Sequence, residues 1–219
     1  MEKKNLSHYH LIRPPKISRE KPPALFMLHG YGSHEEDLFS FAPDLPENLF
    51  IIALRAPYEL MPYGYAWYHI NFDAEAGKWS DNEQAKTSVK GIVSFIDEAC
   101  KAYDLDSNHV TLLGFSQGTI LSYAVALSHP EKVKNVVALS GYINPEILAA
   151  DYKDKNHAGL HFYCSHGNQD PVIPVEWARR APNILEDLQI DYIYEEFPAG
   201  HGVAPQNFYA LLKWLKQKV

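Results

Sequence analysis

Short apolar runs alternate along this chain with longer segments whose apolar positions recur at helical spacing. Residues 24–28 (Ala-Leu-Phe-Met-Leu) and 49–54 are continuously apolar, and residues 109–114, 133–139 and 160–164 are rich in β-branched, aromatic or aliphatic side chains. Unbroken runs of this length, without in-and-out alternation, mark strands covered on both faces, as in parallel sheets. Residues 191–197 read as a further strand, and residues 9–13, closed by Pro14 and Pro15, as an edge strand. Between them, Val89, Ile92, Val93, Ile96, Cys100 and Tyr103 step along one helical face and predict a helix over 82–103. Residues 35–45 predict a helix with Leu38, Phe39, Ala42 and Leu45 on one side. Residues 119–128 predict a buried helix and residues 175–188 another. Pro205 opens a last helix with the stripe Phe208, Leu211, Leu212 and Leu215. Strand and helix in alternation predict an α/β fold with a mostly parallel central sheet, and right-handed crossovers put helices on both of its faces.

No repeat, low-complexity tract or linker interrupts the pattern, so residues 1–219 read as one domain. Residues 55–81 form the longest irregular segment, and seven aromatics fall between positions 58 and 79: Tyr58, Tyr63, Tyr65, Trp67, Tyr68, Phe72 and Trp79. So much apolar surface predicts a packed loop rather than a disordered one, and its place after a strand predicts a wall of a ligand pocket. Residues 140–159, between two strands, hold one short helical piece near 146–150, which is too little for a cap domain.

The net charge of −7 and the lack of a basic stripe argue against nucleic acid as a partner. The first residues carry charge but no apolar signal core, and no run approaches a membrane span, which predicts a cytoplasmic protein without stable membrane insertion. Cys100 and Cys164 are far apart, each in an apolar segment, and read as reduced core residues. Eleven histidines raise the question of a metal, but there is no His-Glu-x-x-His and no Cys/His cluster of zinc spacing. No metal and no cofactor are expected.

The chemistry gathers at Gly114-Phe115-Ser116-Gln117-Gly118, a G-x-S-x-G sequence between a predicted strand and a predicted helix. That context defines a nucleophile elbow, in which a tight turn presents the serine hydroxyl at the sheet edge and small flanking residues avoid collision. A serine at its own pKa needs a base, and the base needs an acid to orient it. Asp170 follows the strand over 160–164, and His201, between Gly200 and Gly202, follows the strand over 191–197. These two alone satisfy both the strand-end position and the order Ser, Asp, His; His157, His161 and His166 precede Asp170. Two N–H donors for an oxyanion are expected from Gln117, next to the serine, and from Tyr31 in the loop His29-Gly30-Tyr31-Gly32 after the early apolar strand.

With these motifs in order, the chain resembles the phospholipase/carboxylesterase family of α/β-hydrolases, which includes the acyl-protein thioesterases. The likeness runs through Leu28 to Gly32, Glu36-Asp37-Leu38, Arg55-Ala56-Pro57, the G-x-S-x-G sequence, His166-Gly-Asn-Gln-Asp170-Pro-Val-Ile-Pro174 and Gly200-His201-Gly202. It implies an α/β-hydrolase fold, Ser116, Asp170 and His201 as a triad, and Tyr31 and Gln117 as the oxyanion hole. It also places Trp67 near the site, and with the aromatic segment this predicts Trp67 and Tyr68 as substrate-binding residues. The family's usual Trp-Phe-Asp stands here as Trp67-Tyr68-His69, a departure confined to the acyl-pocket segment. The implied activity is a serine carboxylesterase acting on a small acyl ester, with an acyl thioesterase or lysophospholipase as the alternatives. A non-catalytic binding protein on the same scaffold is disfavoured because all three triad positions are filled. The resemblance alone admits a homodimer.

Overall fold

The computed structural model describes the backbone of residues 2–17, 19–73 and 77–219, and side chains for the same residues without 72, 73 and 77–79. In chain order the elements are β1 (His10–Arg13), β2 (Pro23–Leu28), α1 (Glu36–Phe39), β3 (Phe50–Leu54), β4 (Tyr58–Glu59), β5 (Tyr65–Ala66), β6 (Ile70–Asp73), β7 (Gly77–Ser80) and α2 (Asn82–Tyr103). They continue with β8 (Asp106–Phe115), α3 (Gln117–Ser128), β9 (Asn135–Leu139), β10 (His161–Gly167), α4 (Val175–Ala178), α5 (Ala181–Asp187), β11 (Asp191–Phe197) and α6 (Pro205–Lys218).

Seven strands form one sheet in the order β1-β3-β2-β8-β9-β10-β11. Only β1 runs antiparallel, against β3; every other pairing in this sheet is parallel. The two-residue period of a strand sorts the apolar runs onto two faces. Phe26, Ile52, Leu112, Val136 and Phe162 pack on one side with Ile92, Ile96, Ile120 and Leu185 of the helices α2, α3 and α5. Their neighbours Leu25, Ile51, Leu113, Val137 and Tyr163 pack on the other with Leu38 of α1 and Leu211, Trp214 and Leu215 of α6. This is the α/β-hydrolase architecture, without a large cap: between β9 and β10 there are only two three-residue 3₁₀ turns, Pro145–Ile147 and Tyr152–Asp154.

Proline accounts for two departures from the expected helices. The helix predicted over 35–45 stops at Phe39, and a 3₁₀ turn over Ala42–Asp44 follows, because Pro43 supplies no N–H to continue the ladder back to Phe39. Leu38, Ala42 and Leu45 are nonetheless buried, so the core pattern survives the break. Likewise the helix predicted over 175–188 divides into α4 and α5, with Pro182 in the first turn of α5. A third departure is the segment over 55–81. It is not irregular but carries two antiparallel hairpins, β4–β5 and β6–β7, consistent with the strand preference of its aromatic residues.

The chain leaves β2 toward β3 on one side and returns to β8 on the other. The carboxyl ends of β2 and β8 therefore flank a topological switch point, where an open parallel sheet leaves a crevice.

Candidate active site

Ser116 sits in that crevice, between the end of β8 and the start of α3, with φ 52° and ψ −115°. A non-glycine residue at such a φ is strained, and the neighbours hold it there. A Cβ on Gly118 would lie 1.9 Å from the Leu28 carbonyl oxygen, so only glycine lets α3 start this close to the end of β2. Ser116 N–H donates to Leu139 O (2.9 Å), which ties the turn to β9.

The other two candidates arrive from adjacent strands, β10 and β11. Asn168 N–H donates to Phe197 O (2.9 Å) and Gln169 N–H to Ala199 O (3.0 Å), stitching the two loops together. Gly167 allows the approach, since a Cβ there would lie 2.3 Å from Gly200 O. The result is a continuous relay: Ser116 Oγ to His201 Nε2 at 2.9 Å, and His201 Nδ1 to Asp170 Oδ2 at 2.6 Å. The Asp170 carboxylate is fully buried. Burial by itself would raise its pKa, but the hydrogen bond from His201 and the N–H groups of Ile173 (3.0 Å) and Val172 (2.8 Å) outweigh it, and the pKa is lowered. Asp170 thus remains a carboxylate and fixes the Nδ1–H tautomer of His201, leaving Nε2 to accept from the serine. His166, earlier than Asp170 in the chain, lies behind it rather than beside Ser116. Its Nε2–H donates to Ile173 O (2.9 Å) and stands 3.3 Å from Asp170 Oδ2, with the side chain wholly buried.

Tyr31 and Gln117 stand on either side of the Ser116 turn, and both line the cavity that opens at the serine. Among the described residues neither of their N–H groups is taken by an acceptor of the chain. The loop bearing Tyr31 is fixed from below. His29 is buried, with Nδ1–H donating to Gly30 O (2.8 Å) and Nε2 accepting from Ala56 N–H (3.1 Å). Glu35 and Arg55 clamp its far end through two hydrogen bonds, Nε–Oε2 at 2.7 Å and Nη2–Oε1 at 2.5 Å.

The cavity has a volume of about 810 Å³ and is lined near the serine by Tyr31, Gln117, His201, Tyr68 and Ile120. Of the two aromatic residues expected at the substrate, Tyr68 lines this cavity and Trp67 does not. Its side chain is wholly buried in the core beneath the cavity, its indole N–H donates to His29 O (2.9 Å), and its backbone N–H donates to Gln117 Oε1 (2.8 Å). Both rings are buried in one core cluster, and only that of Tyr68 reaches the cavity. Phe72 and Trp79, from the same aromatic segment, lie outside the described side chains. The Gln117 side chain has a role that its motif position conceals: Nε2–H donates to Tyr68 O (2.8 Å), so the amide grips the 67–68 backbone from both ends. Other lining residues, Tyr142, Asn144 and Glu146 after β9 and Trp177 in α4, were not anticipated. The strand-end rule that located Asp170 and His201 extends to the segment after β9.

An alcohol hydrogen-bonded to an imidazole, itself held by a buried carboxylate, can transfer the alcohol proton and attack an electrophilic carbon. Comparison with known proteins gives the family. Residues 13–219 match the family model described as Phospholipase/Carboxylesterase. The acyl-protein thioesterase 1 of Kluyveromyces lactis is 30% identical over 157 residues, covering 69% of this chain and 68% of the relative. In structure the chain is similar to esterase PE8 (TM-score 0.85, 24% identity, covering 98% of this chain and 100% of that one). It is also similar to the Bacillus cereus carboxylesterase (TM-score 0.83, 20% identity, covering 98% and 96%). The chain belongs to the phospholipase/carboxylesterase family of α/β-hydrolases.

Proposed function

We propose that the protein is a serine carboxylesterase that cleaves small acyl esters through an acyl-enzyme. The observation that carries this reading is the unbroken relay from Ser116 Oγ through His201 to Asp170 Oδ2 at 2.9 and 2.6 Å. The Ser116 oxygen attacks the ester carbonyl carbon while its proton passes to His201 Nε2. The carbonyl oxygen takes up the negative charge and accepts hydrogen bonds from the N–H groups of Tyr31 and Gln117. The N-terminus of α3 adds a favourable dipole there. As the tetrahedral intermediate collapses, the carbon–oxygen bond to the leaving group breaks and Nε2 returns the proton to the departing alkoxide. Water then attacks the acyl-serine with the same proton transfers, releasing the acid and restoring Ser116. Asp170 holds the histidine and stabilises its charged form throughout.

An acyl thioester passes through the same steps with a thiolate leaving group, and the kinship with an acyl-protein thioesterase makes it the second reading. A protein that only binds ligands on this scaffold has no use for a strained serine in contact with an imidazole.

A fluorophosphonate probe tests the proposal. We expect it to label one residue, Ser116, as mapped by mass spectrometry, and the label to be lost in His201→Ala. Labelling at another serine, or none at all, overturns the reading.

A further inference from the structure

The proposed esterase chemistry uses one end of the cavity and leaves the rest without a role. Besides Ser116 and His201 the lining holds Ile70, Ile120, Ser80, Asn82, Asn144 and Glu146. There the amides form a chain: Asn144 Nδ2–H donates to Asn82 Oδ1 (3.2 Å), and Asn82 Nδ2–H donates to a Glu146 carboxylate oxygen. The 3₁₀ turn Pro145–Ile147 presents Glu146, and the Asn144 side chain caps that turn by accepting from Glu146 N–H (3.1 Å). The carboxylate is thus held in place and has accepting capacity to spare.

Three further facts give this end of the cavity a sign. Among the described lining residues Glu146 is the one carboxylate, and none is a lysine or arginine. Glu146 also acts on the cavity wall: the Tyr142 hydroxyl has its pKa raised, first by burial and then by the Glu146 charge. Finally, Tyr142, close enough to feel that charge, is in edge contact with Trp177 at 5.0 Å, and both rings line the cavity. A carboxylate beside an aromatic pair is a combination that attracts organic cations, through charge and through the negative ring faces.

We propose that this end of the cavity is a cation subsite, and that the preferred substrates are acyl esters carrying an ammonium group remote from the scissile bond. The proposal rests on the ester-hydrolase reading for the word substrate but not for the subsite itself. A saturated long acyl chain fits poorly, because its methylenes would cover Glu146 and the two asparagines without offering a hydrogen bond. A phosphate-bearing lysolipid fits worse, because it meets a carboxylate and no cation among the described lining residues.

The test has a catalytic arm and a binding arm. In the first, kcat/KM is measured for matched 4-nitrophenyl esters of hexanoic acid, 6-(trimethylammonio)hexanoic acid and adipic acid. Butyrylthiocholine, measured against S-ethyl thiobutyrate, places the cation on the leaving group. The cationic member of at least one pair should exceed the neutral one by about five- to tenfold, and the anionic ester should fall below it, at low ionic strength. Glu146→Gln should bring the cation-to-neutral ratio close to one, and Glu146→Lys should favour the adipate ester. In the second arm, calorimetry with Ser116→Ala follows the binding of hexyltrimethylammonium and of hexanoate. The cation should bind at least about fivefold more tightly, and adding Glu146→Gln should remove the difference. Equal binding of the two ions overturns the subsite whether or not any ester is turned over, and so does a cation preference that survives Glu146→Gln. If no ester is cleaved while the cation binds selectively, the subsite stands and the esterase reading fails.

Discussion

Ser116 and Trp67 mark the two ends of what single residues disclose in a sequence. The serine is legible because the turn that strains it needs small neighbours at fixed positions, and glycine leaves a mark in the sequence. Asp170 and His201 are legible because chain order and strand ends limit the choice, and they meet at 2.6 Å. Trp67 is not legible in this way. An aromatic residue near a site can face the ligand or the core, and here the decision falls to partners distant in sequence, His29 and Gln117. The same distance hides the clamp that the Gln117 amide places on the 67–68 backbone. With its indole wholly buried, Trp67→Ala should destabilise the protein by about 3–5 kcal/mol. For a chain of this size that lowers the melting temperature by roughly 10 °C. The order of preference among esters of different acyl length should be unchanged in the protein that remains folded. A shifted preference with an unchanged melting temperature would return Trp67 to the cavity wall.

Among elements, the strands were read most surely, because a parallel strand buried on both faces declares itself by an unbroken apolar run. Residues 82–103 gave the matching result for a helix, since 22 residues of one-faced periodicity and an Asp81 cap leave little choice. Proline shortens the helices that contain it, and the hairpins of residues 58–80 are hidden because strands of two to four residues carry little period to detect. One link between elements carries its own prediction. Glu35, 3% exposed, pairs with Arg55, whose guanidinium also lies over the rings of Tyr9 (4.1 Å) and Tyr65 (4.5 Å). Burial would raise the Glu35 pKa, but the Arg55 hydrogen bonds prevail and lower it. A carboxyl group depressed in the folded state lends stability that is complete above its unfolded pKa, about 4.3, and is lost as pH falls through the folded value. Glu35→Gln should therefore cost roughly 1–2 kcal/mol at pH 7, less than a fully buried pair because Arg55 is 31% exposed. The gap between the two melting curves should be level from pH 6 to 8 and should close as pH falls below about 4. A gap that stays constant into acid would mean that the pair contributes nothing through its charge.

For the whole molecule, the sheet order decides where the chemistry lies. The switch between β2 and β8 opens the crevice, and four loops at the carboxyl edge converge on it, bringing Tyr31, Ser116, Asp170 and His201 together. With only two 3₁₀ turns between β9 and β10, no large cap covers this crevice. Hydrolysis should therefore follow ordinary saturation as an ester is raised through its solubility limit. An abrupt rise in rate at that limit would mean that a cover opens at the interface. The most direct test of the central claim is the rate of ester hydrolysis by Ser116→Ala beside the wild type, with circular dichroism to show that both are folded. Loss of the hydroxyl that His201 holds at 2.9 Å should lower kcat by several orders of magnitude, about 10⁴-fold or more. A folded Ser116→Ala protein that keeps more than about a tenth of the wild-type rate would contradict the account.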